Sequence, residues 1–274
     1  MVPPTSPPQA ELSPEAPGRG RLLSVGTLER APWWVLVLLI GGFFALLGIL
    51  RSPVYRETYN FLAPAITVTL KLAFAAYGLA MVLGLIAALG QLSRHPVPHT
   101  LARLYVEIVR GVPLLVQLIY IAFVLTPVIA DLTGIRWFRN DMVRATMGLG
   151  IGYGAYLAEI YRAGIQSIPR GQTEAARSLG MTPWLALRHV VLPQAIRVIL
   201  PPLGNDFVAM LKDSSLASVI SVQELTYTGS LLNARTFRSF ETYNVVALLY
   251  LIMTLLGSMG VRGLERWAGK GYRH

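Results

Sequence analysis

Apolar residues fall along this chain in long unbroken runs, not in the alternation of a half-buried strand or the one-sided stripe of a surface helix. Residues 38–49 carry no charge, and residues 73–89 are apolar except for Tyr77. Runs of this length predict helices that cross a membrane, where every backbone polar group must find its partner inside the helix. Six are predicted: 33–50, 61–91, 101–130, 142–168, 195–220 and 243–261. The first could pass for the apolar core of a signal peptide, but it is long and is followed by Arg51-Ser52-Pro53 instead of a small-residue cleavage site. It is expected to stay as an anchor. The stretch 61–91 is longer than a bilayer needs, so Lys71 can reach an interface. Pro113 and Pro127 fall within the third span, and Pro201-Pro202 is expected to interrupt the fifth.

The segments between the runs complete the layout. Residues 1–30 hold six prolines and few large apolar side chains, the composition of a disordered tail. Residues 31–60 form an additional helix and an outer loop, and 61–274 a core of five crossings. The fold class is therefore all-α, a polytopic helical bundle. With the N-terminus in the cytoplasm, thirteen basic residues lie inside, among them Arg94, Arg103, Arg162, Arg170, Arg177 and Arg188, against seven outside. That bias places both termini in the cytoplasm.

Composition agrees. Only 14% of the 274 residues are charged, where soluble domains carry about 25%, and the mean hydropathy is +0.53. A formal charge of +10 could point to nucleic acid, but the arginines are scattered between apolar spans and read as topogenic charge. There is no cysteine, which excludes disulfides and thiolate chemistry. No metal site is expected: His95 and His99 are separated by Pro96 and Pro98, and His189 and His274 stand apart.

The loop between the fourth and fifth spans, 169–193, is polar and too short to cross. It reads as two short helices. The first is stopped by Gly180, and the second opens with Thr182 as N-cap and Pro183 in the first turn. Glu174-Ala175-Ala176, then Gly180, then Val190, then Leu192-Pro193 matches in every spacing the signature of ABC importer membrane subunits, with valine in place of isoleucine. The chain resembles that family, and 105–118, 156–165 and 201–225 resemble its polar amino acid uptake branch. The resemblance covers residues 61–265. It implies a permease of the type I importer fold in a bacterial inner membrane, moving a polar amino acid inward by alternating access. It also implies partners: a second permease subunit, identical or not, two ATP-binding subunits, and a solute-binding protein outside. ATP and magnesium would belong to the ATPase, since this chain has no phosphate-binding loop and no cofactor of its own. The branch commonly has five spans, so the first helix is extra. Glu174, Ala175, Ala176 and Gly180 would couple the chain to the ATPase.

Ionisable residues within apolar spans mark candidate substrate contacts. Glu159 lies on a glycine-rich helix, with Gly152, Ala155 and Tyr156 on or near one face. Asp206 follows Pro201-Pro202. Both are candidates to hold a substrate cation, with Gln117 and Tyr156 beside the path. Local pairing competes: Glu159 with Arg162, Glu107 with Arg110, and Asp213 with Lys212. The excess of acids leans towards a basic or neutral substrate. Two other classes fit less well. A membrane-embedded enzyme using Glu159 and Asp206 would need a nucleophile or metal cluster, and a stand-alone secondary transporter should show clear internal repeats.

Overall fold

The computed structural model describes residues 51–269 continuously and 40–42, 44 and 48 before them. The expected tail 1–30, nearly all of the first span and the last five residues lie outside the described residues. Contacts divide the chain after Phe44. The described residues of the first unit are helical, and everything below concerns the second.

Its first element, α1, is one helix from Pro53 to Leu92, about 60 Å long at 1.5 Å per residue. It starts well before the predicted boundary because Pro53 sits in the first turn, where a missing N–H costs nothing. α2 (Pro96–Gly111) and α3 (Leu114–Thr133) replace the single span expected over 101–130. Pro113 imposes an extended backbone on Val112 before it, and the helix restarts beyond. Pro96 and Pro98 open α2 instead of breaking it, so His99 is helical and His95 caps the start. After a 3₁₀ turn, Arg136–Arg139, α4 runs from Asp141 to Gln166.

α1 and α4 form the most extensive helix pair. They approach closely at Gly84, where an added Cβ would lie 2.8 Å from Leu157 Cβ and 2.9 Å from Gly154 O. The glycines of α4 serve two neighbours: Gly150 and Gly154 face α1, while Gly148 and Gly152 face Leu118 and Leu114 of α3. The narrow face of α4 is thus a packing surface.

Beyond α4 come α5 (Arg170–Ser178), α6 (Pro183–Ala186), a π-turn (Leu187–Val191) and α7 (Leu192–Asp213). The expected interruption at Pro201-Pro202 is absent, since α7 passes through both. The break comes later. α7 gives way to a 3₁₀ helix, Ser214–Ile220, closed by Ser221 at φ 65°, and α8 (Leu225–Thr236) follows. α9 spans Ser239–Gly269.

The α7–α8 break lies deep in the bundle. Asp213 meets Tyr153, twelve residues into α4, and Glu224 meets Tyr250, eleven residues into α9; these depths are about 16–18 Å from the helix starts. α8 then returns to the end where α1 begins: Arg238 just beyond it reaches Glu57 at 3.5 Å, and Asn244 bonds Tyr55 at 3.3 Å. α7 and α8 are therefore two helices in succession on either side of one buried break. Fully buried Glu224 holds the joint. Its carboxylate accepts from Thr226 N (2.9 Å), Tyr227 N (2.7 Å) and Tyr250 Oη (2.6 Å), and Leu225 N donates to Thr69 Oγ1 of α1 at 3.1 Å. Among the described residues, α1, α3 and α9 are long and apolar enough to cross a membrane as single helices.

Candidate functional site

The polar loop 169–193 folds as the sequence predicts. α5 ends in a Schellman turn: Gly180 N donates to Arg177 O at 2.9 Å and Met181 N to Ala176 O at 3.1 Å. This requires the left-handed conformation at Gly180, whose φ is +84°. Thr182 Oγ1 accepts from Leu185 N and caps α6. Glu174 and Ala175 point to solvent while Ala176 is buried. Leu179 (82% exposed) and Trp184 (65%) project from the elbow unpacked, so it presents apolar side chains on a polar surface.

The elbow is tied to the bundle at both ends. Gln172 of α5 meets Gln194 of α7 at 3.4 Å. Between α6 and α7 the ladder slips by one residue, with Leu192 N donating to Leu187 O. Pro193 follows at once and cannot donate to the carbonyl four residues back, which favours this slip. The same arrangement occurs in α3, where the π-turn Ile121–Leu125 precedes Thr126-Pro127. There Thr126 Oγ1 donates to Ile121 O at 2.8 Å.

A cavity of about 590 Å³ opens at the elbow end, between the end of α1, α2 and the last turns of α4. Its volume falls in the range of small-molecule sites, roughly 300–1,000 Å³. Gln91, Arg103, Glu107, Arg110, Glu159 and Arg162 line it. His99, Arg103, Glu107 and Arg110 form the polar stripe of α2, while Val97, Leu101, Leu104 and Ile108 are exposed on another face. An amphipathic helix in a membrane protein turns its charged stripe to a wet space.

Glu159 takes two bonds from Arg162, at 2.6 and 3.3 Å, and lies 3.9 Å from Arg110 Nη1. Arg110 stacks over the Tyr156 ring at 5.6 Å, and Tyr156 lies 6.2 Å from Tyr153, centroid to centroid. Tyr153 Oη donates to Asp213 Oδ2 at 2.6 Å, and Asp206 lies two turns before Asp213 on α7. A ladder of polar groups thus climbs from the cavity to the α7–α8 break. Glu159 stands at its cavity end, and among the described residues no hydrogen bond or ion pair joins it to Asp206.

Of the three expected local pairings, two come out differently. Glu159 does pair with Arg162, but Glu107 takes Arg103 at 3.3 Å instead of Arg110, and Asp213 takes Tyr153 instead of Lys212. Helix spacing permits both partners of Glu107, and only the packing of α2 on α4 sends Arg110 towards Glu159. Gln117 lies 8% exposed, outside the cavity lining. Its Nε2 donates to Val109 O and Val112 O, both at 2.6 Å, bonding carbonyls at the end of α2. The sequence reading missed Arg110, Tyr153 and Glu224. The i, i+3 spacing of Tyr153, Tyr156 and Glu159 was a usable signal for the ladder.

A helix bundle with a buried break, an exposed elbow and a charged cavity beside that elbow is the framework of a membrane transport component. The chain belongs to the family of binding-protein-dependent transport system inner membrane components, whose model matches residues 80–274. Among individual proteins it is 39% identical over 212 residues to a probable amino-acid permease protein of Bacillus subtilis, covering 77% of this chain and 93% of that one. It is also 39% identical to the glutamine transport system permease protein of Escherichia coli, covering 68% and 83%. Among solved structures it is similar to an amino acid ABC transporter crystallised with histidines, at 40% identity and a TM-score of 0.69, covering 77% of this chain and 95% of that one. A methionine ABC transporter in an inward-facing conformation shares the fold at 20% identity, with a TM-score of 0.63.

Proposed function

We propose that this chain is the permease subunit of an ATP-driven importer of polar amino acids. It works as a pair of permease subunits, with two ATP-binding subunits on the elbow side and a solute-binding protein on the other. ATP and magnesium are bound by the ATPase. The chain crosses the membrane six times, the additional N-terminal helix first, and both termini face the cytoplasm. Glu174, Ala175 and Gly180 form the docking face of the elbow, with Ala176 supporting it from inside. Glu159, Tyr156 and Asp206 lie along the substrate path, and Gln117 supports the path by bonding the end of α2.

One observation carries the reading. α4 lines the cavity with Glu159 and Arg162, ends at Gln166, and is joined to α5 of the elbow by three residues. A displacement of the elbow is passed along one rigid helix to the charged cavity within two turns. The names of the relatives support the amino acid substrate. The test is reconstitution with the cognate ATPase and solute-binding protein in vesicles. Uptake of labelled amino acid should require ATP and both partners. Uptake that persists without the ATPase would make the chain a secondary transporter.

A further inference from the structure

Three arginines line the cavity, and they are not equivalent. Arg103 is paired with Glu107 at 3.3 Å and Arg162 with Glu159 at 2.6 Å. Arg110 reaches Glu159 only at 3.9 Å, the edge of ion-pair distance. Its other contact among the described residues is the Tyr156 ring beneath it, and no hydrogen bond there reaches its guanidinium. Three guanidinium groups against two carboxylates leave one positive charge in excess, and geometry assigns that excess to Arg110. His99 directs Nδ1 at Gln91 O, 2.8 Å away.

Resting on the permease reading above, we infer that Arg110 is the anchor for the α-carboxylate of the transported amino acid. The Tyr156 ring lies on one side of the guanidinium, 5.6 Å from its carbon, and a guanidinium without a hydrogen-bond partner among the described residues can take a carboxylate through two parallel bonds. The loose Arg110–Glu159 contact explains how a zwitterion is accepted. The substrate carboxylate replaces Glu159 beside Arg110, and its α-ammonium faces Glu159, so one long ion pair is exchanged for two short ones. The feature recognised is common to all amino acids, and discrimination of side chains falls to other parts of the path. Arg110 is a specificity residue for the amino acid class, reached from the elbow end of the bundle.

The test uses the purified complex with its ATPase, without the solute-binding protein. Equilibrium binding is measured with labelled members of the twenty standard amino acids, and with the α-amide of each one that binds. Wild type should bind the free acid about tenfold or more tightly than the amide. Arg110→Gln should weaken the acid by a similar factor to the level of the amide and leave the amide unchanged. Arg110→Lys, which keeps the charge but not the fork, should fall between. Equal binding of acid and amide by wild type would overturn the inference, and so would equal weakening of both by Arg110→Gln, which marks a merely structural role. Failure of the reading itself looks different: the wild-type complex, supplied with ATP and its solute-binding protein, would import none of the twenty.

Discussion

At Gly180 the backbone sits at φ +84° with open space around the missing side chain. A Cβ added there would meet nothing within 4 Å, so the cost of a side chain comes first from the left-handed conformation, about 1–2 kcal/mol for an L-residue and more for a β-branched one. Gly180→Val is therefore expected to break the Schellman turn and misdirect α6, cutting import per ATP hydrolysed by about tenfold. Gly180→Asn, which tolerates the conformation, should retain most of it. The ratio of uptake to phosphate release in vesicles checks both. Glu159 poses the other residue-scale question, because Arg162 already holds it. Glu159→Gln is expected to reduce import about tenfold or more, in line with loss of a charge-assisted bond of about 1.5–3 kcal/mol. If its only role were to balance Arg162, the double variant Glu159→Gln/Arg162→Gln would recover import, and that recovery would remove Glu159 from the path.

The elements show where irregular backbone is tolerated and what supports it. The joint between α7 and α8 lies deep in the bundle, where unpaired amides are costly. Glu224 satisfies two of them and is itself bonded by Tyr250. Glu224→Ala should lower stability by about 2–4 kcal/mol, combining a lost cap with unsatisfied buried donors. Tyr250→Phe, which removes one donor to the Glu224 carboxylate, should cost about 1–2 kcal/mol. Thermal unfolding of the detergent-purified chain would rank them, and an undisturbed Glu224→Ala would show that α8 is held from elsewhere. The π-turn before Pro193 is the elbow counterpart. Pro193→Ala restores the missing donor and should draw Leu187–Val191 into regular helix, rotating the elbow by about 100° against α7, one residue of helix. Since the chain has no cysteine, one introduced at Trp184 would report the rotation as altered cross-linking to the ATPase.

Across the described bundle, polar groups run along α4 from Glu159 through Tyr156 and Tyr153 to Asp213 at the end of α7. The six crossings proposed above put both termini on one side of the membrane. Cysteines placed one at a time at Arg19 and Glu265 should both be shielded from a membrane-impermeant thiol reagent in intact cells and both react once the membrane is opened. Labelling of only one in intact cells would show that a crossing has been miscounted.

The sequence by itself determined the solvent, the helical class, and the elbow with its caps and glycine, because these depend on local rules: run length, φ preferences and the bonds a capping side chain makes to its own helix. It also located Glu159 with Arg162, which needs only helix spacing. Tertiary structure decided the rest. Whether Pro201-Pro202 breaks a helix depends on the packing around it, and the structure carries α7 through. Whether Glu107 turns to Arg103 or Arg110 depends on where α4 presents its carboxylate. Glu224 reads in sequence as one more loop acid. It becomes the pin of a joint only when α1, α8 and α9 meet around it, because long-range partners follow from packing and leave no spacing in the chain to read.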